Sequence, residues 1–237
     1  MLDTMRKTSI RGGSRATQGG FTLVEIAIVL VIIGLLLGGI LKGQEMITQA
    51  KIKNLVNDFN GITAAVNSYQ DRYRSLPGDD LNATTRWSGA SKGNGDGVYG
   101  VGGTTASYTK YNTVLSTSPS DTDESNSFWW HLRLSGFVAG ATTGTAAGQH
   151  PGNAVSGIMG VQTTGMGFSS NIICSSNLPD KVAIAVDTQM DDGSINGGQV
   201  RGVLQTAPNP DIPDAAAASN VSYAETGTNQ YVICRNL

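Results

Sequence analysis

The pattern of apolar and polar positions begins with a stretch that is almost wholly apolar. Between Phe21 and Leu41 every residue is apolar or glycine except Thr22 and Glu25. A helix of this length measures about 32 Å at about 1.5 Å per residue, and a bilayer hydrocarbon core is about 30 Å thick. We therefore predict one membrane-spanning helix over residues 21–41.

The next stretch has apolar residues on one side of a helix only. Proline and glycine at positions 77 and 78 end the pattern, so an amphipathic helix is predicted over residues 42–76, continuous with the membrane half. The apolar positions are Ile52, Leu55, Val56, Phe59, Ile62, Val66, Tyr69, Tyr73 and Leu76.

Residues 77–237 read as a globular, β-rich domain in which glycine, serine, threonine and asparagine separate short apolar runs. Strands are predicted over 181–188, 197–206 and 229–237, with 191–198 as the turn joining the first two. A short helix is predicted in "SFWWHLRLSGFVAG", and 139–160 reads as an irregular excursion. The fold class is α+β, with a long N-terminal helix packed on a small antiparallel sheet.

Charge divides the chain at Gly20. The first 20 residues carry four basic and one acidic residue, or +3, and the remainder carries 12 basic and 17 acidic residues, or −5. The basic N-terminal segment favours a cytoplasmic N-terminus, while the acidic remainder argues against nucleic acid as a partner. A cleaved secretory signal is the alternative, but "LKGQEMITQAK" after the apolar core offers no Ala-x-Ala site.

Catalytic chemistry finds little support in the sequence. His131 and His150 are the only histidines, and no nucleophile motif or metal triad accompanies them. The sequence therefore argues against an enzyme.

Glu25 is the one charged residue in the apolar stretch. A carboxylate at the centre of a membrane helix costs up to about 3 kcal/mol, and less toward an end. Because no basic residue lies between positions 21 and 41, its counter-charge must come from elsewhere.

The segment "GGFTLVEIAIVLVIIG" resembles the cleavage and N-methylation motif of type IV pilins and of the pseudopilins of type II secretion. The resemblance implies that residues 1–20 are a leader, removed after Gly20 by a prepilin peptidase that also methylates the new amine of Phe21. It implies that Glu25 pairs with the N-terminal amine of a neighbouring subunit. A pilin-like fold is implied as well.

The function implied is that of a structural subunit in a type IV pilus-like or pseudopilus filament. Its partners would be other pilins, in a homo- or hetero-oligomeric filament, the prepilin peptidase and an inner-membrane assembly platform. The chain would cross the bacterial inner membrane once with its C-terminal domain periplasmic, before joining a periplasmic or cell-surface filament. The alternatives are a minor pilin acting as a filament-tip adhesin and a type II secretion pseudopilin.

Cys174 and Cys234 are the only cysteines. In an exported body the oxidising compartment favours a disulfide between them, and the alternative is two unrelated buried thiols.

Four oxygen-bearing side chains lie close together in sequence, and "NGDG" partly echoes a calcium loop. Calcium binding is one interpretation, and solvated turns are the other, because Asp-Gly and Asn-Gly pairs are common in turns. No other cofactor is predicted. The four residues are Asp79, Asp80, Asn94 and Asp96.

Overall fold

A computed structural model describes residues 20–100, 110–218 and 220–237. These residues form two units, one ending at Met46 and the other beginning at Ile47. Residues 1–19 of the predicted leader lie outside the described part of the chain.

One long helix, α1, runs from Leu23 to Tyr73 and confirms the predicted continuous helix. It ends before the predicted stop at residue 76, because Arg74 adopts a left-handed conformation with a φ of 57°. Its second half carries the apolar stripe that the periodicity predicts, with Val56 and Tyr73 partly buried at its margin. Leu76, just beyond the helix, is partly buried against the same core. The buried residues of the stripe are Ile52, Leu55, Phe59, Ile62, Ala65, Val66 and Tyr69.

A four-stranded antiparallel sheet lies in the second unit. Its strands are β1 (Met159–Gly165), β2 (Phe168–Pro179), β3 (Val200–Leu204) and β4 (Gln230–Asn236), in the order β1-β2-β4-β3. Strands β3 and β4 confirm the predictions for 197–206 and 229–237. Strands β1 and β2 were not predicted, because their serine, threonine and asparagine content resembles a loop.

The prediction of a strand over 181–188 is wrong. This stretch forms helix α4, Asp180–Met190. Val182, Ala183 and Val186 are buried at helical spacing, so the segment packs one helical face on the core although its β-branched residues favour a strand. Residues 191–198 consequently link a helix to β3 rather than joining two strands.

Three shorter elements complete the fold. Helix α2 spans Ala83–Arg86, and α3 spans Glu124–Leu134, which confirms the short helix predicted around the paired tryptophans. Residues 139–160 are mostly irregular as predicted, apart from a 3-10 turn over Thr145–Gly148 and the first residues of β1.

Both faces of the sheet are buried. Along β4, Tyr231 and Ile233 face the main core, which also contains the stripe of α1 and residues of α3 and α4. Val232 and Cys234 point the other way, into a smaller cluster beneath the loop at Tyr111. Successive strand residues alternate between faces, so one strand contributes to both cores.

Candidate functional site

Gly20 and Phe21, the predicted processing residues, lie immediately before the start of α1. The Phe21 side chain is 83% exposed, and a Cβ added at Gly20 would meet no atom within 4 Å. Neither residue contributes to a core in the described structure, so sequence change here would leave packing intact.

Thr22 and Glu25 form a capping box at the N-terminus of α1. The Glu25 N–H donates to Thr22 Oγ1 at 3.2 Å, and the Thr22 N–H donates to Glu25 Oε2 at 2.8 Å. The Thr22 hydroxyl also donates to Oε2, at 2.9 Å. These reciprocal bonds satisfy orphan helix-end donors, a local role for Glu25 that the Thr-x-x-Glu spacing could have revealed.

The first half of α1 leaves its apolar side chains uncovered. An 18-residue window of the helix reaches a mean hydropathy of 2.8 with none of its residues buried. The helix is therefore long and apolar enough to cross a membrane. Exposure on this scale is typical of segments that contact lipid or other protein chains.

The disulfide prediction is confirmed. Cys174 and Cys234 are directly opposite each other on β2 and β4, and their sulfur atoms are bonded. The bond crosses the two central strands on the face of the sheet away from α1.

Three carboxylates from distant parts of the sequence meet in the second unit. Asp79 follows α1, Asp96 lies in a loop, and Glu124 begins α3, yet ligand oxygens from all three lie within 4.8 Å of one another. Asp79 and Glu124 are buried, and Asp96 is exposed. We call these three residues the carboxylate cluster.

Only part of the predicted calcium set reaches this cluster. Asp80 is directed elsewhere: its Oδ2 accepts from the Tyr69 hydroxyl at 2.7 Å and pairs with Arg86. Asn94 acts through Asp96, donating from its amide to Asp96 Oδ2 at 2.8 Å. Sequence reasoning missed Glu124, because it lies 28 positions beyond Asp96 in a different element.

Burial and mutual repulsion alter the acidity of the carboxylate cluster. Burial, reinforced by the negative charges of Asp79 and Asp96, raises the pKa of Glu124 to about 7. Burial also raises the pKa of Asp79, although backbone amides of Gly95 and Gly97 oppose the shift. Holding these groups close together is therefore unfavourable when all are ionised.

A second acidic group contains Asp187, Asp191 and Asp192. The oxygens of Asp187 accept from the Tyr223 hydroxyl at 2.6 Å and from the Gly193 N–H at 3.1 Å. Asp191 Oδ2 accepts from the backbone N–H of Gln199 and, at 2.9 Å, from that of Val200. These contacts hold the link between α4 and β3, which gives this group a structural role.

The long N-terminal helix packed on a small antiparallel sheet defines a pilin-like α+β fold. Sequence comparison agrees: the family model for the prokaryotic N-terminal methylation motif matches residues 15–41. This motif is the signature of type IV pilins and pseudopilins, and it points to a structural subunit rather than an enzyme. No curated protein matches the chain.

Proposed function

We propose that the chain is a structural subunit of a type IV pilus-like or pseudopilus filament. The supporting observation is that the methylation motif lies on a helix segment whose apolar side chains nothing in the described chain covers. Such a segment can lie in lipid before assembly and pack against copies of itself afterwards. Residues 21–41 would form this assembly half, and residues 42–76 would connect it to the body at 77–237.

Processing would proceed at the Gly20–Phe21 bond. The two residues are exposed and precede the first turn of α1, so a membrane peptidase could reach the bond without unfolding the helix. Removal of residues 1–20 would leave a new amine on Phe21, and methylation of that amine preserves its positive charge.

The new amine makes a counter-charge necessary. A cation at a helix N-terminus faces the positive end of the helix dipole, which is unfavourable. Glu25 offers a carboxylate within the same first turn. Both bonds that Glu25 accepts go to Oε2, so Oε1 has no partner among the described residues and can accept a bond from an ammonium group. In the filament, the amine of a neighbouring subunit would fill this position. Because a buried acid without a partner is unfavourable, the pair would form only when the subunits are in the correct register.

The proposal places the chain in the bacterial inner membrane with its C-terminal body on the periplasmic side. The apolar helix and the motif fit inner-membrane anchoring. The basic residues before position 20 favour the proposed orientation. The partners would be other pilins, the prepilin peptidase and the assembly platform.

The N-terminal peptide mass of protein recovered from membranes, with and without the peptidase, tests the proposal. We expect a chain that begins at N-methylated Phe21 only when the peptidase is present. Gly20→Ala should remain uncut, while Gly39→Ala, equally free of contacts within 4 Å, should be processed normally. A leader that stays intact in the wild type under both conditions would overturn the proposal.

A further inference from the structure

A cavity of about 290 Å³ lies in the second unit, where the second half of α1 passes α3 and the start of β1. It has roughly twice the volume of an apolar protein cavity of about 150 Å³ that admits benzene, so a molecule with one ring and a short substituent fits. Gly61 and Gly152 are exposed at its rim, so the cavity opens to solvent. The apolar part of its wall consists of Ile62, Trp129, Phe137, Val138, Pro151 and Met159.

Gly61 helps to keep the cavity open. It lies within α1, where glycine is a poor helix former, and a Cβ added there would meet no atom within 4 Å. The packing around α1 therefore does not require glycine at this position. A larger side chain would instead extend toward the space that the cavity occupies.

Asp58 gives the cavity a negative charge. Among the described residues that line the cavity, it alone is ionisable, and its side chain is half-buried. Neither a hydrogen bond nor an ion pair joins this carboxylate to another described residue, and the residues three and four positions away on α1 are uncharged. A carboxylate that is partly removed from water without a partner is unfavourable, so a positive group in the cavity would stabilise it.

The aromatic residues of the wall favour the same kind of ligand. Trp129 and Phe137 both line the cavity, and aromatic rings attract positively charged nitrogen, tryptophan most strongly. The apolar side chains beside them can cover the hydrocarbon part of a ligand. An anion would find no basic side chain in this wall and would be repelled by Asp58.

We propose that this cavity binds a small organic cation, a primary ammonium group carried on an apolar or aromatic body. The ammonium group would pair with the Asp58 carboxylate, and the apolar body would fill the space beside Gly61. Because an ammonium group that pairs with Asp58 must leave water, neutral and anionic molecules of the same shape would be distinguished by charge. This inference does not depend on the proposed filament role, since ligand binding and leader processing are measured separately.

Calorimetric titration of the full-length chain in nonionic detergent tests the site with three probes of similar shape. We expect phenethylammonium to bind at least tenfold more tightly than phenethyl alcohol, and phenylpropionate not to bind. Asp58→Asn should weaken phenethylammonium binding by at least tenfold, because a hydrogen bond to a charged group is lost. Asp71→Asn, an exposed change on the same helix, should bind as the wild type does.

Gly61→Leu tests the position of the ligand without removing the charge. Leucine is a good helix former and the position has room for a Cβ, so the variant should unfold at a Tm no lower than that of the wild type. Its side chain should block the cavity and abolish binding. Methyl NMR gives a second measurement, because phenethylammonium should shift the resonance of Met159 in the cavity wall.

Three results would overturn the proposal. One is equal affinity for phenethylammonium and phenethyl alcohol, and another is phenethylammonium binding that neither Asp58→Asn nor Gly61→Leu changes. The third is the absence of phenethylammonium binding by a chain whose self-association requires Asp58, since a basic side chain of another copy would then occupy the cavity.

Discussion

Thr22 and Glu25 form reciprocal hydrogen bonds at the first turn of α1. Glu25 Oε2 lies 2.8 Å from the Thr22 nitrogen, and the Glu25 nitrogen lies 3.2 Å from Thr22 Oγ1. Capping requires only that Glu25 accept hydrogen bonds, whereas the proposed filament role also requires its negative charge. The two roles can therefore be separated by a variant that keeps the hydrogen bonds and loses the charge.

Glu25→Gln is that variant, because glutamine also closes a capping box. We expect normal membrane insertion and leader removal, but roughly tenfold weaker association of subunits, which corresponds to about 1.4 kcal/mol per contact, and therefore a lower filament yield. Sheared filaments quantified by immunoblot give the measurement. Glu45→Gln is the matched control, since it breaks only an exposed pair with Lys42 that contributes little. Wild-type yield from Glu25→Gln would restrict Glu25 to capping.

Removal of the Cys174–Cys234 bond should destabilise the body. The bond spans 60 positions, and loop entropy predicts a contribution of about 4 kcal/mol to the free energy of unfolding. Urea unfolding followed by tryptophan fluorescence should show a lower midpoint for the Cys174→Ala/Cys234→Ala double variant. A reducing agent should lower the midpoint of the wild type but leave that of the variant unchanged. Identical midpoints before reduction would contradict the expectation.

Gly78 should tolerate substitution far less well than Gly89. Both glycines have left-handed backbones, with φ values of 90° and 85°. A Cβ at Gly78 would lie 2.5 Å from the Glu124 carbonyl oxygen, whereas a Cβ at Gly89 would meet nothing within 4 Å. Gly89→Ala should cost about 1–2 kcal/mol from backbone strain alone, and Gly78→Ala at least about twice as much, because α3 must also move. Equal unfolding midpoints for the two variants would show that α3 shifts to admit the new Cβ at no cost in stability.

His131 should make stability depend on pH. Its Nδ1 accepts from the Gly78 N–H at 2.9 Å, so the proton lies on Nε2, which donates to the Ser91 carbonyl at 2.9 Å. Burial lowers the pKa of His131 to about 4. Between pH 6.5 and about 4 the unfolded chain binds a proton that the folded chain does not. The free energy of unfolding therefore decreases by about 3 kcal/mol as pH falls through this window.

NMR titration of the His131 ring isolates this effect from Asp79, Glu124 and Asp187, whose pKa values burial raises. The ring should remain neutral at pH 5 in the folded protein and titrate near pH 4. A midpoint near 6.5 would contradict the prediction.

The sequence predicted those elements in which local pattern and tertiary packing agree. The stripe from Ile52 to Tyr69 has a helical period and lies on the core, and the apolar run at Tyr231–Cys234 is a strand with both faces buried. In α4 the two signals disagree. Valine and isoleucine favour a strand, but Asp180 in the first turn and the buried four-residue spacing of Val182 and Val186 favour the helix that forms.

The candidate sites also differ in whether their residues are close in sequence or are brought together by packing. Gly20, Phe21 and Glu25 follow from a motif that is local in sequence, and their roles stay predictions. The carboxylate cluster could be named only in part, because its third member arrives through the packing of α3 beside the turn after α1. The sequence places Asp80 in the predicted calcium set because it lies next to Asp79. Neighbouring residues in a turn point in different directions, however, and the Asp80 carboxylate contacts Tyr69 and Arg86.

The position of β4 within the sheet has a consequence for how the body is made. Residues 230–236 pair with β2 on one side and β3 on the other, so the two halves of the sheet meet only through this strand. During synthesis, β1, β2 and β3 are made before β4, and only β1 and β2 can pair with each other at that stage. β3 has no partner in the sheet until residues 230–236 are made, and trimming these residues would remove the centre of the sheet rather than its margin.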